Sequence, residues 1–302
     1  MNHVSPQTAR PTATPDDFFA SLEKRTSSHP ALSHSFLRRF ASERISREQL
    51  VKFAVQHYLY SRLFTRNLGA VISNVPDEKA RSLLIANMYE EIGEPRTGRD
   101  RAHLLLLQAG MVSPTDVGLA CSAAATAGSR GDVTKELLDR GLVSRAQVTA
   151  VVNIDAEQFS ELTHPALFRR FLFALGLTPA ELADVQAIRE TAMFVKEYQS
   201  VCRDGDWLVS MGAMGPGTEC VVPALYTPIE KGIAGSGLVS DIDYIFWTIH
   251  IHCDEGHGAN IIEAIKPYAH TLENQSLIAE GAMRVLNARK VWFDGLEKLV
   301  FS

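Results

Sequence analysis

The chain has 302 residues, 46% of them hydrophobic, with a formal net charge of −5 and a pI near 6.1. That apolar content is enough to bury one large core. The weak negative charge leaves no electrostatic footprint for nucleic acid, since the basic clusters at 38–40 and 96–101 are short and mixed with acids.

The first fifteen residues are polar, contain proline and lack an apolar signal core, which predicts a disordered tail (1–15) ahead of a domain over 16–302. No stretch approaches the roughly 18 apolar residues that span a bilayer. Cys121, Cys202, Cys220 and Cys253 show no CxxC spacing and read as free thiols in a reducing cytoplasm. Apolar runs follow the helical period throughout and strand signals are scarce, so the predicted class is all-α.

Taken in chain order, the first chemistry-bearing element is LLIANMYEEIGE, a helical run that ends in Glu90 and Glu91 just before Gly93. Either acid could face the core, because a one-residue phase error at a helix end exchanges them. Residues 95–160 hold shorter helical pieces (RAHLLLLQAGMV, VTKELLDRGL, RAQVTAVV) and a small-residue section, CSAAATAGSRGD. A helix is then predicted over Pro165–Leu175, with Thr163 as N-cap, Pro165 in the first turn and Gly176 as C-cap; His164 stands at its start. Glu219 is the only acid between Trp207 and Pro228, a stretch of small and apolar residues where an acid needs a partner.

The last of these elements is IHIHCDEGH. His250, Asp254 and His257 are spaced i, i+4, i+7, which places them on one narrow stripe of a helix. His252 and Glu255 point away from it. A lone histidine on an apolar helix is usually a satisfied core residue; three metal-liganding types in phase are not explained that way. Ile245, Phe246, Ile249, Cys253, Ile261, Ile262 and Ile265 follow helical spacing around the stripe, so its charges are buried and need pairing or a metal. The separations from His164 to Glu219 and from Glu219 to His250 fit helix–connection–helix units meeting in a bundle core.

In this order, Glu-Glu-Ile-Gly, His-Pro-Ala-Leu-Phe, Gly-x-Glu and His-x3-Asp-x2-His resemble the haem-oxygenase-like diiron oxidases and oxygenases; the segment Gln56–Asp77 resembles their early helices. Pyrroloquinoline-quinone synthase and the thiaminase II group are related in fold and lack iron. The resemblance covers about 16–94 and 160–295. It implies a haem-oxygenase-like helical bundle and a metal set drawn from Glu90 or Glu91, His164, Glu219, His250, Asp254 and His257. It also implies two Fe(II) per chain, with dioxygen as co-substrate. Relatives keep their first glutamate and first histidine within a few turns, whereas some seventy residues separate Glu91 from His164 here. The segment 95–160 therefore reads as a helical insertion, with His103 a weaker alternative ligand.

The expected activity is oxidation of a small amino-acid- or amine-derived metabolite by N-oxygenation, desaturation or oxidative C–C cleavage, in specialised metabolism. A fatty-acid-cleaving or desaturating oxidase is one alternative. A metal-free thiaminase-like hydrolase, with Cys220 as nucleophile, or a cofactorless oxidase is another. Tyr58, Tyr60, Arg62, Phe64, Met214, Tyr226 and Lys231 are the expected pocket residues. No nucleic acid or membrane partner is expected; an external electron donor and a homodimer remain compatible with the chain.

Overall fold

The computed structural model describes residues 13–92, 102–108, 110–126, 133–152 and 163–302, with the backbone alone at 104–105, 108, 124–126, 149–152 and 252–255. The first twelve residues of the expected tail lie outside the described residues. Ala13 and Thr14 lie within them, and Thr14 caps the first helix by accepting from Asp17 N.

Among the described residues every regular element is helical. In order they are α1 (Pro15–Ser27), α2 (Ser35–Ser42), α3 (Arg47–Ser61), α4 (Phe64–Asn74), α5 (Glu78–Ile92), α6 (Ala102–Gln108), α7 (Pro114–Thr126), α8 (Val133–Asp139), α9 (Arg145–Val152), α10 (His164–Ala174), α11 (Pro179–Ala183), α12 (Arg189–Asp204), α13 (Trp207–Met214), α14 (Val222–Ser236), α15 (Ile245–Ile265) and α16 (Leu272–Phe301). Short 3₁₀ turns occupy Glu219–Val221 and Lys266–Tyr268. None of these helices is long and apolar enough to cross a membrane.

Local chemistry sets the helix starts that matter for the site. Ser46 and Gln49 form a reciprocal capping box that begins α3. Asp77 accepts from Ala80 N at 2.7 Å to begin α5, and Thr163 accepts from Ala166 N to begin α10, with Pro165 in its first turn.

Two helices organise the packing. The long α16 lies along α12, α13 and α3, and α15 runs through the centre against α14, α7, α5 and α10. The α13–α16 crossing is close enough that a Cβ on Gly281 would sit 1.9 Å from the Val209 carbonyl oxygen, and one on Gly212 would sit 2.0 Å from that of Ile278. Only glycine permits that approach. The core is continuous, with Phe36, Phe40, Phe53, Phe194, Trp247 and Trp292 among its largest fully buried side chains. Within the segment expected to be an insertion, α7 packs along α15 and α6 packs on α9.

Candidate metal centre

Four elements bring acids and imidazoles together at the middle of α15. Glu91, on the last turn of α5, is 3% exposed; His164, the first residue of α10, is 6% exposed. Glu219, at the 3₁₀ break between α13 and α14, is 2% exposed. His250 and His257 come from α15 and are buried as well. Their ligand atoms form two groups, Glu91 with His164 and His250, and Glu91 with Glu219 and His257, each with its atoms within 4.8 Å of one another. Glu91 belongs to both.

Hydrogen bonds around the cluster decide which ring nitrogens face inward. His250 Nδ1 lies 2.6 Å from the Phe246 carbonyl oxygen. That oxygen can only accept, so Nδ1 carries the proton and Nε2 presents a lone pair. His257 Nε2 lies 2.9 Å from Glu90 Oε2, while its Nδ1 lies 3.6 Å from Glu91 Oε1 and 3.9 Å from Glu219 Oε2. Glu90 therefore sits outside the cluster, 60% exposed, and holds the far side of the imidazole. His164 Nδ1 is 3.1 Å from Glu91 Oε2 but misaligned for a hydrogen bond, and the His164 and His250 rings lie 4.4 Å apart. Asn87 fixes α5 against α15 from one turn away, donating to the His257 carbonyl at 3.1 Å and accepting from Asn260 at 2.7 Å.

Electrostatics set the acids apart. Burial drives the Glu219 carboxyl up to about 8; Glu91 and Glu90 add to the rise, and His257 opposes it. Burial also pushes on Glu91, but His164, by charge and contact, with His250 and His257 behind it, brings that carboxyl down to about 2. Burial and the neighbouring His164 hold His250 down to about 3, so it is neutral.

A cavity of roughly 110 Å³ opens onto the cluster. Glu91, His164, Glu219 and His250 border one end, Tyr58, Tyr60, Phe64, Phe168, Tyr226 and Phe246 line the walls, and the exposed side chains of Arg62 and Arg169 border it as well.

Of the residues expected from sequence, Glu91, His164, Glu219, His250 and His257 meet in the cluster. Glu90 lies beside it, and the Asp254 side chain lies outside the described residues. Tyr58, Tyr60, Arg62, Phe64 and Tyr226 line the cavity. Met214 and Lys231 do not. Met214 is buried at the end of α13, where its sulfur accepts from the Tyr198 hydroxyl at 3.3 Å. Lys231 follows Tyr226 by five residues on α14, which turns it about 140° around the helix, and it faces a separate cleft with Glu230 and Asp241. His103 is on α6, in neither ligand group. Cys220 is exposed, with its sulfur packed toward Gly258 rather than lining the cavity, and its thiol is pushed up to about 12, chiefly by burial of the sulfur. A thiol in that state is a poor nucleophile.

Sequence reasoning passed over Arg169, Phe168 and His57. The one local signal for His57 is its spacing from Phe53 and Tyr60, which puts all three on one face of α3.

A model of the TENA/THI-4/PQQC family matches residues 23–127. A 4-aminobenzoate synthase of Nitrosomonas europaea is 28% identical over 147 residues, 48% of this chain and 59% of that protein. The 4-chloro-allylglycine synthase of Streptantibioticus cattleyicolor is 25% identical over 150 residues, 50% of this chain and 58% of that protein. The chain thus spans somewhat less than two thirds of either relative. A 4-aminobenzoate synthase of Chlamydia trachomatis is 29% identical over 244 residues, covering 80% of this chain and 76% of that protein. Among solved structures, a CADD-like protein of unknown function from Nostoc punctiforme superimposes with a TM-score of 0.63 over 95% of this chain and 99% of that one, at 13% identity. A domain of unknown function from Shewanella denitrificans with a haem-oxygenase-like fold gives 0.52 over 95% of this chain and 93% of that one, at 10% identity, so the fold is the haem-oxygenase-like one. The model described as iron-containing redox enzyme matches residues 136–290, which carry His164, Glu219, His250 and His257, and with more than half of its length matched the chain belongs to that family.

Proposed function

We propose that the chain binds two iron ions in the cluster, with Glu91 shared between them, and uses dioxygen to oxidise a small amino-substituted carboxylate. The observation that carries this reading is the pair of buried ligand groups with one acid in common. Nitrogen and carboxylate donors without thiolate suit iron. The residues fit such ions on their own chemistry: Glu219 Oε1 is buried without a hydrogen-bond partner among the described residues, and the inward nitrogen of His250 is a bare lone pair. Buried acids at this density need cations.

On this reading His164 and His250 serve one position, Glu219 and His257 the other, and Asp254, one turn after His250, is a further donor on the same stripe. When bound, the ions would supply electrons to dioxygen and so generate the oxidant. The chain's own contribution is to hold the ligands, exclude water and place the substrate. Glu90 keeps the His257 proton on Nε2 and its lone pair directed inward, the orienting role that outer carboxylates play for metal-bound histidines. Phe64, Phe168, Phe246 and the tyrosines make the walls dry enough to strengthen electrostatic contacts inside.

Arg62 and Arg169 point to the substrate class. Arg62 lies over the Tyr58 ring, and among the described residues neither arginine forms an ion pair, so both suit a carboxylate entering from solvent while the rest of the molecule faces the metals. The product names of the curated relatives, 4-aminobenzoate and 4-chloro-allylglycine, each carry an amino group and a carboxylate.

The test is anaerobic iron(II) loading followed by rapid mixing with dioxygen, comparing wild type with His250→Ala and Glu219→Ala. The expected result is about two irons per chain and an oxygen-dependent change in visible absorption that both substitutions abolish. A wild type that takes up no iron and consumes no dioxygen refutes the reading.

A further inference from the structure

We propose that Arg289 is a specificity-determining residue: its buried guanidinium, standing behind the Tyr60 ring, gives the cavity a fixed positive charge that favours an anionic ligand over a neutral one. The inference rests on the metal-site reading and deepens it, by naming a group that selects the charge of what the cavity holds.

Arg289, on α16, is 2% exposed and is one of the largest fully buried side chains of the core. Among the described residues it forms no ion pair, and its Nε and Nη2 are buried without a hydrogen-bond partner. Those two nitrogens make up one edge of the guanidinium, the kind of edge that grips a carboxylate with two parallel bonds. Aromatic rings face the group instead. Its Cζ lies 5.0 Å from the centroid of Phe194, on α12, and 5.5 Å from that of Tyr60, on α3. Ring faces offset part of the cost of burying a cation. An unbranched apolar side chain would fill the same space without that cost, because a buried charge with no acid beside it is expensive. Nor can a guanidinium shed its charge as a buried lysine does. A cation kept in such a place acts on its surroundings at any working pH.

Tyr60 links that charge to the cavity. It is 4% exposed and lines the same space as Glu91, His164, Glu219 and His250, so the guanidinium stands one ring behind the wall. Neighbouring groups register it. Burial pushes the Tyr60 hydroxyl up, and Arg289 opposes the rise by charge and contact. At His57, burial first and then the charge of Arg289 hold the imidazole well below its ordinary value. Arg62 and Arg169 border the cavity with exposed side chains, where salt screens them. Arg289 is enclosed and is screened far less.

The test is calorimetry on zinc-loaded protein with two small probes, azide and imidazole, the second in mildly alkaline buffer where it is uncharged. Wild type should take up zinc and bind both. Arg289→Met should bind azide about tenfold more weakly and imidazole within about twofold of wild type, the order expected on removing one poorly screened charge at close range. Arg289→Gln is also neutral and should behave the same; it decides if Arg289→Met does not fold. Azide affinity unchanged in a neutral variant overturns the proposal. So does an equal loss of azide and imidazole, which would make Arg289 a packing residue. A wild type that takes up zinc but binds no azide overturns the proposal and leaves the metal-site reading standing, whereas one that takes up no zinc overturns both.

Discussion

Glu90 and Glu91 are adjacent, both acidic, and separated in role by 100° of helix. Glu91 faces the cluster, where His164 chiefly holds it ionised against burial; Glu90 reaches His257 from the outside. Replacing them should give different losses. On the proposed reading Glu91→Ala removes the carboxylate common to both ligand groups and is expected to abolish metal binding, whereas Glu90→Gln keeps the inner donors and should weaken metal by roughly 10–100-fold, the usual cost of losing an outer-shell partner. Metal titration by calorimetry separates the two, and equal losses would refute the assignment. The arginines allow a second comparison. Arg169→Ala should raise KM several-fold with kcat little changed, because a carboxylate held at the entrance is held alike in ground and transition states. A fall in kcat at constant KM would place Arg169 in the chemistry instead. Which of two neighbouring acids turns inward was not legible in the sequence, because the answer depends on how Asn87 and Asn260 lock α5 against α15, a contact between elements far apart in the chain.

At the scale of elements, the parts that could be read were those whose signals are local. The stripe on α15 follows from spacing alone, and the start of α10 at His164 follows from Thr163 and Pro165. Glu219 stood out because nothing near it is charged; the structure puts it on a 3₁₀ turn that interrupts α13 and α14, so its side chain enters the core from a break and not from a helix face. Met214 and Lys231 lie off the cavity for separate reasons: Lys231 sits about 140° around α14 from Tyr226, and Met214 ends α13 with its sulfur turned to the Tyr198 hydroxyl. Arg169 borders the cavity, and His57 meets Phe168, only where α3 and α10 come together. The close crossing between α13 and α16 supports this arrangement, because α13 leads into the Glu219 turn. A methyl group at Gly281 would meet the Val209 carbonyl, and a backbone atom cannot step aside as a side-chain end can. Gly281→Ala is therefore expected to cost on the order of 2–3 kcal/mol and to lower metal affinity as well, through displacement of α13. An unchanged thermal midpoint would mean that the two helices part without penalty.

For the whole molecule, a buried cluster of this composition makes stability depend on pH in a way that can be worked out group by group for the metal-free protein. His57 and His250 stay neutral in the fold, while the unfolded chain takes up protons as the pH falls below 6.5. The unfolded state then binds more protons, and stability drops as pH falls, by about 1.4 kcal/mol per pH unit for each group. Glu219 acts in the opposite sense. Its folded carboxyl keeps a proton up to about 8 that the unfolded chain releases near 4.5, so stability drops as pH rises through that window. Glu91 stays ionised down to about 2, and its contribution is lost as pH falls below 4.5. Between 6.5 and 4.5 two histidines oppose one glutamate, leaving a net fall of about one group's slope. Below 4.5 Glu219 drops out and Glu91 joins His250, so the fall steepens. From 8 down to 6.5 Glu219 acts alone and stability rises. The expected profile has its maximum near 6.5, and urea denaturation across this range measures it directly. His57→Phe removes one of the two histidines, so its profile between 6.5 and 4.5 should be nearly flat, the remaining His250 and Glu219 cancelling. If the slope there matches wild type, His57 is not held neutral in the fold. Saturating metal holds Glu219 ionised and so removes the decline above 6.5; a metal-loaded protein that still lost stability from 6.5 to 8 would show that Glu219 is not a ligand.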